Sequence, residues 1–156
     1  VFMTPLDDPF ALARREVEAL RAKTRVIFVD FHAEATSEKI AMGWHLDGLV
    51  TAVVGTHTHV QTADERILPK GTACLTDAGM TGPHDSIIGV TVEAALSRFV
   101  NAMPTKFEAA SGAGRLNAVI VTADPKTGQA TAIERLNLSA AEVDALAAAT
   151  PAPSHG

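Results

Sequence analysis

Apolar positions recur at helical spacing near the start of the chain. Phe10, Leu12, Ala13, Val17 and Leu20 share one face, and Arg14, Arg15, Glu16 and Glu18 are left for solvent. Asp8 before Pro9 predicts where this helix begins, because an Asp side chain caps free N–H groups and Pro loses nothing at the first helical position. The pattern carries it to about Lys23. The run Arg25-Val26-Ile27-Phe28-Val29-Asp30-Phe31 is short, β-rich and apolar at its centre, which predicts a strand covered on both faces in a sheet interior. From Thr36 to His45 the period turns helical again, and Asp47-Gly48 supplies a left-handed stop. Leu49 to Gly55 reads as a second buried strand. Strand, helix and strand in this order form a βαβ unit, hence a parallel pair joined by a right-handed crossover.

Thr72 to Thr76 predicts a further strand, followed by a Gly-rich polar loop over Asp77-Ala-Gly-Met-Thr-Gly-Pro-His-Asp-Ser86 that is too long for a simple turn. A helix is expected over Thr91 to Asn101. Strands are expected over Lys106 to Ala110, Arg115 to Ala123 and Gln129 to Leu138, the last two joined by a hairpin turn at Pro125-Lys126-Thr127-Gly128. Ser139 with Glu142 forms a capping box for a short Ala-rich helix, and the tail from Thr150, which includes His155, is expected to be disordered.

With 156 residues, the chain suits one core. Hydrophobic residues make up 47% and charged residues 20%, which excludes disorder of the whole chain. Lys plus Arg number 13 against 18 Asp plus Glu, a net charge of −5, so no bulk positive charge attracts nucleic acid. Apolar runs such as Leu49 to Gly55 are far shorter than the roughly 20 residues needed to cross a bilayer, and a cytoplasmic location is expected. The lone Cys74 lies in an apolar run, reads as a small buried thiol and is assigned no chemistry. Val1-Phe2-Met3 opens without an initiator methionine, which predicts that the chain is a fragment.

The chemistry concentrates in Gly55-Thr56-His57-Thr58-His59. In extended backbone, alternate residues share a face, so His57 and His59 are expected to converge. Neutral imidazole is the commonest metal ligand, and Gly55 lets the backbone approach a site closely. His32 ends the preceding strand, and adjacent parallel strands bring it beside His57 at the carboxyl ends, where such sheets place their sites. His32, His57 and His59 are therefore the candidate metal ligands, with Asp30 and Glu34 as candidate groups to fix an imidazole tautomer. Asp77, His84 and Asp85 are candidates for a wall of the substrate site. Ser86 has no identifiable base, and Met42 and Trp44 read as core or subunit-contact residues.

Three runs, Val29-Asp-Phe-His-Ala-Glu-Ala-Thr-Ser-Glu-Lys39, Val54-Gly-Thr-His-Thr-His-Val-Gln-Thr-Ala-Asp64 and Thr76 to Ser86, resemble in order the YmdB-like branch of the calcineurin-like metallophosphoesterases. The similarity extends to about Leu138. It implies an α/β fold, part of an αββα sandwich of mixed sheets flanked by helices whose N-terminal strands are missing. Residues 1–138 would be the C-terminal portion of one domain, with a short helix and tail over 139–156. The resemblance also implies two divalent metal ions, Mn or Fe before Zn or Mg, and hydrolysis of small phosphodiesters such as 2′,3′-cyclic nucleotides by a homo-oligomer. His32 and His57 would bind one metal and His59 the other. The family's Asp, bridging Glu, Asn and Asn-His pair, including its histidine proton donor, have no counterpart in this sequence. Two readings stand beside the enzyme: a catalytically incompetent metal-binding or oligomerising remnant, and a purely structural α/β module.

Overall fold

The computed structural model describes residues 7–102 and 104–149; the expected tail and Val1 lie outside them. Helix α1 spans Pro9–Arg21 and opens as expected, with the Phe10 N–H donating to Asp8 Oδ1 at 2.9 Å. Strand β1 (Phe28–His32), helix α2 (Thr36–His45) and strand β2 (Ala52–Thr56) then form the βαβ unit, and β1 and β2 pair in parallel with His32 opposite Thr56. Strands β3 (Arg66–Ile67) and β4 (Ala73–Leu75) complete a four-stranded sheet in the order β1-β2-β4-β3.

A second sheet joins β5 (Gly82–Pro83), β6 (Gly114–Ala123) and β7 (Ala130–Ser139) in sequence order, all antiparallel. The β6–β7 hairpin turns where predicted, closed by the Gly128 N–H on the Asp124 carbonyl at 2.7 Å. Helix α3 (Val92–Asn101) precedes β6, and α4 (Ala140–Ala149) follows β7. The capping box forms as read, with the Ser139 N–H and hydroxyl both donating to Glu142 Oε2, at 2.7 and 2.6 Å. No helix of the described residues is long and apolar enough to cross a membrane.

Successive residues of β2 explain the layering. Val53 joins Val17, Ile27, Met42 and Leu46 in the core between the first sheet and helices α1 and α2. Ala52 turns the other way and meets Ala73 and Ala130 between the two sheets, with Val121 and Ile133 beside them. Covered on both sides, β2 is buried from Ala52 to Gly55, as its unbroken apolar run predicts. The small alanines let the sheets approach closely.

Several expectations are corrected. The strand expected over Arg25 to Phe31 is confined to β1, which among the described residues pairs on one side with β2 and is an edge, and its Phe28 is 55% exposed. Periodicity reports which faces are apolar but not whether both edges find a partner. Lys106 to Ala110 is no strand: only an isolated bridge joins Ala109 to Val90. The short strands β3 and β5 carry too few residues to leave a period. Met42 is core at 1% exposure, whereas Trp44 is half exposed and stacks under the Arg66 guanidinium, 5.7 Å from its ring centre. Cys74 is partly buried, and burial pushes its thiol up to about 11, the behaviour of an inert thiol.

Gly55, just before the histidines, is fixed by a close crossing. A Cβ there would lie 1.9 Å from the Thr76 carbonyl oxygen and 2.7 Å from Lys39 Cδ. The backbone oxygen cannot yield without parting β2 from the chain that continues β4. Gly55→Ala is therefore expected to destabilise the protein by about 3 kcal/mol. Urea denaturation would register this as a lower midpoint at unchanged slope, and an unchanged midpoint would refute the close-crossing account.

Candidate active site

The parallel register places His32 at the end of β1, level with Thr56, and the chain then bends away from the sheet at His57. The two imidazoles meet edge to face, with His32 Nε2 3.2 Å from His57 Nδ1. Behind them, His32 Nδ1 lies 3.1 Å from Thr56 Oγ1, and that hydroxyl lies 3.3 Å from Asp30 Oδ1. The Thr56 hydroxyl has one proton, which goes to the carboxylate, so it accepts from His32 Nδ1–H. This chain of bonds fixes the tautomer and leaves a lone pair on His32 Nε2, the atom that faces His57. The relay runs through Asp30 and not through Glu34.

Two ring nitrogens bound at 2.0–2.1 Å to one ion lie about 2.9 Å apart at a right angle and about 3.3 Å apart at the tetrahedral angle. The observed 3.2 Å separation falls between these limits. His32 and His57 therefore fit as two donors to a single divalent cation. They supply only part of a coordination shell: among the described residues no group of three His, Cys, Asp or Glu side chains comes together to hold a metal.

His59 does not join them. The stretch from His57 to Val60 is a series of bends, with φ of 130° at His57 and 66° at His59, so the shared-face expectation for extended backbone does not hold. His59 Nδ1 instead donates to the Ile88 carbonyl at 2.8 Å, which leaves Nε2 with its lone pair free, and the ring lines a cleft with Gln61, Met80 and Asn117. His84 lines the same cleft, with Nε2 3.3 Å from the Met80 carbonyl, while Asp85 is exposed.

Asp77 plays a different part from the expected substrate wall. It is 1% exposed, and its Oδ2 accepts from Lys39 Nζ at 2.9 Å and from the Thr58 N–H at 2.8 Å. Its Oδ1 accepts from the Gly79 N–H at 2.9 Å. One carboxylate thus ties helix α2 to the loop between His57 and His59 and to the turn before Met80. Burial raises its pKa, but the bonds from the Thr58 N–H, Lys39 and the Gly79 N–H outweigh burial and hold the carboxyl below its ordinary value. Lys39 and Thr56 lie inside the runs that resemble the family but are not singled out there, and Ile88 and Asn117 lie outside them. Lys39 alone left a signal, since it falls on the buried stripe of α2 with Met42 and Gly43.

A model of the YmdB-like protein family matches residues 1–136. A 2′,3′-cyclic-nucleotide 2′-phosphodiesterase of Bacillus subtilis (strain 168) is 53% identical over 135 residues, which cover 86% of this chain and 51% of that protein. Among solved structures, a hypothetical protein from Thermus thermophilus superposes with a TM-score of 0.80 at 46% identity, over 88% of this chain and 53% of that one. A novel phosphatase from Mycoplasma pneumoniae gives 0.79 at 37% identity, over 89% and 50%. The chain spans about half the length of each. The mixed α/β architecture, part of an αββα sandwich, agrees with the expectation drawn from the three motifs.

Asp77→Asn leaves the Lys39 ammonium buried without its counter-charge and should cost about 3–5 kcal/mol in urea denaturation at neutral pH. Because folding lowers the Asp77 pKa, its contribution is complete above the ordinary carboxyl value of about 4 and is lost as pH falls through the lower folded value. The acid limb of the stability profile should therefore be shallower in Asp77→Asn than in the wild type. Superimposable acid limbs would exclude the pair as the source of that pH dependence.

Proposed function

The chain belongs to the YmdB-like family, and from that premise we propose that it forms part of the catalytic centre of a metal-dependent phosphodiesterase acting on small phosphodiesters such as 2′,3′-cyclic nucleotides. The observation that carries the reading is the apposition of His32 Nε2 and His57 Nδ1 at 3.2 Å, backed by the Thr56–Asp30 relay. In the structure His57 Nδ1–H donates to the His32 Nε2 lone pair, and the Thr56–Asp30 relay on the other ring nitrogen is the arrangement that metal-ligating histidines use, with a cation taking the place of that shared proton.

His32 and His57 would hold a divalent ion, Mn²⁺ or Fe first, and His59 is proposed to serve a second. Such ions supply Lewis acidity at a phosphoryl oxygen and a water nucleophile at neutral pH. The chain's own residues orient the site. Asp30 and Thr56 set the His32 tautomer, the Ile88 carbonyl sets His59, and Asp77 holds the loop that carries His57 and His59. The remaining ligands and the proton donor are proposed to come from outside the described residues. Residues 1–138 would then be one portion of a single catalytic domain, in a cytoplasmic, homo-oligomeric enzyme.

The test is hydrolysis of 2′,3′-cyclic AMP by the full-length protein, stripped with EDTA and reloaded with Mn²⁺. Activity should depend on the metal and fall below detection in His57→Ala and His59→Ala. Thr56→Val, which breaks the relay, should lower metal affinity by about 10–100-fold. Wild-type rates in EDTA or in His57→Ala would sink the reading. Metal binding without any hydrolysis would favour the inactive remnant.

A further inference from the structure

The two imidazoles that leave β2 are held from different sides. His57 meets His32, backed by the Thr56–Asp30 relay, and the Thr58 N–H beside it donates to Asp77, so its partners lie on β1, on β2 and in the loop after β4. His59 is held from the second sheet. Its Nδ1 donates to the Ile88 carbonyl, and the turn that carries Ile88 is fixed to β5, because the Ser86 hydroxyl donates to the Pro83 carbonyl at 2.7 Å and accepts from the Gly89 N–H at 3.0 Å. The spacing of the two rings is therefore set across the gap between the sheets.

Gln61 spans that gap. It lies two residues beyond His59, and its Nε2 donates to the Ala118 carbonyl of β6 at 3.1 Å and to the Leu136 carbonyl of β7 at 3.0 Å, on residues that face each other across the hairpin. Two carbonyl partners fix which end of the amide is nitrogen. The neighbouring ties run instead to the loop after β4: the Thr62 N–H donates to the Asp77 carbonyl at 3.1 Å, and the His59 carbonyl accepts from the Met80 N–H at 3.2 Å. Among the described residues, Gln61 alone of residues 57–62 hydrogen-bonds to β6 and β7. Its stem is confined as well, since a Cβ on Gly79 would lie 2.9 Å from Gln61 Cβ. For stability alone the amide is a poor choice. Its Oε1 is buried without a partner among the described residues, which offsets much of what the two donated bonds contribute. An apolar side chain of equal length would fill the space without that cost, but it would not grip the two strands.

We infer that Gln61 is a positioning residue for the second ion: it pins the His59 turn to the β6–β7 hairpin and so sets how far His59 stands from the His32–His57 pair. What is being spaced rests on the phosphodiesterase reading; the tie itself rests on the two bonds of Gln61. Paired catalytic ions lie about 3.5–4 Å apart. A displacement of one imidazole by about 1 Å is enough to spoil such an arrangement, so a side chain that acts only through His59 has a large effect on the site.

The experiment titrates the full-length, EDTA-stripped protein with Mn²⁺ by calorimetry, with His57→Ala and His59→Ala assigning the two ions. Gln61→Met keeps the length of the side chain and removes the donor. It should weaken the ion assigned to His59 by about tenfold or more and leave the ion assigned to His57 unchanged, at a urea midpoint close to that of the wild type. Gln61→Lys restores a donor and should recover the lost affinity; Gln61→Leu takes the place of Gln61→Met should that variant fail to fold. Equal weakening of both ions, or no change in either, overturns the inference. If two ions bind and no 2′,3′-cyclic AMP is hydrolysed, the phosphodiesterase reading fails and the affinities still judge Gln61. If the wild type binds fewer than two ions, that reading fails as well, and the imidazole NMR signals of the metal-free protein decide: the positioning role stands if Gln61→Met moves the His59 signals and leaves those of His32 and His57 in place, and it falls otherwise.

Discussion

The site depends on one buried ion pair. Lys39 and Asp77 are 4% and 1% exposed, and their charged atoms are 2.9 Å apart. Burying two charges costs several kcal/mol each, which only close contact and further hydrogen bonds can offset. Asp77 meets that condition with its two backbone N–H partners, from Thr58 and Gly79, and both lie in the loops that build the site. The same carboxylate that neutralises Lys39 therefore fixes the path of the chain between His57 and His59. A hydrophobic pair of similar volume could fill the space, but it could not accept the two N–H groups. Gly55 belongs to this arrangement, because only a residue without Cβ leaves room for the Lys39 stem and the Thr76 carbonyl.

Around this pair the backbone is strained in three places. His57, His59 and Ile88 all have positive φ, and each such non-glycine residue costs of order 1–3 kcal/mol. The strain is held by specific bonds: Asp77 receives the Thr58 N–H between the two histidines, and the Ile88 carbonyl receives His59 Nδ1–H. Both imidazoles that leave β2 are thus oriented before any ligand arrives. The stability needed to hold them comes from the two cores on either side of β2.

The βαβ unit and the closing hairpin are legible in the sequence because each has a strong local period and a turn signal, Asp47-Gly48 in one case and Pro125 to Gly128 in the other. The nearness of His32 and His57 is legible for a topological reason, since adjacent parallel strands align their ends. The place of His59 is not, because the alternation rule holds only in extended backbone and nothing in His-Thr-His announces positive φ. For Asp77, a Gly-rich loop suggests exposure, whereas its partner Lys39 lies 38 positions away on a helix. A lysine is ordinarily a solvated charge, and only its place on the buried stripe with Met42 and Gly43 sets Lys39 apart. At β1 an edge strand and an interior one look alike, because both can be apolar.

The turn at His57 to His59 divides one short segment between two environments. Had the backbone stayed extended, both imidazoles would have faced the same side and the Thr58 N–H would have pointed into the sheet's own hydrogen-bonding direction. The positive φ values break the alternation: His57 goes to His32 at the end of β1, and His59 goes to the Ile88 carbonyl and the cleft it lines with Met80 and Asn117. The buried carboxylate beneath the turn holds the two halves in register, because Thr58 and Gly79, one beside the histidines and one beside the cleft, donate to the same side chain.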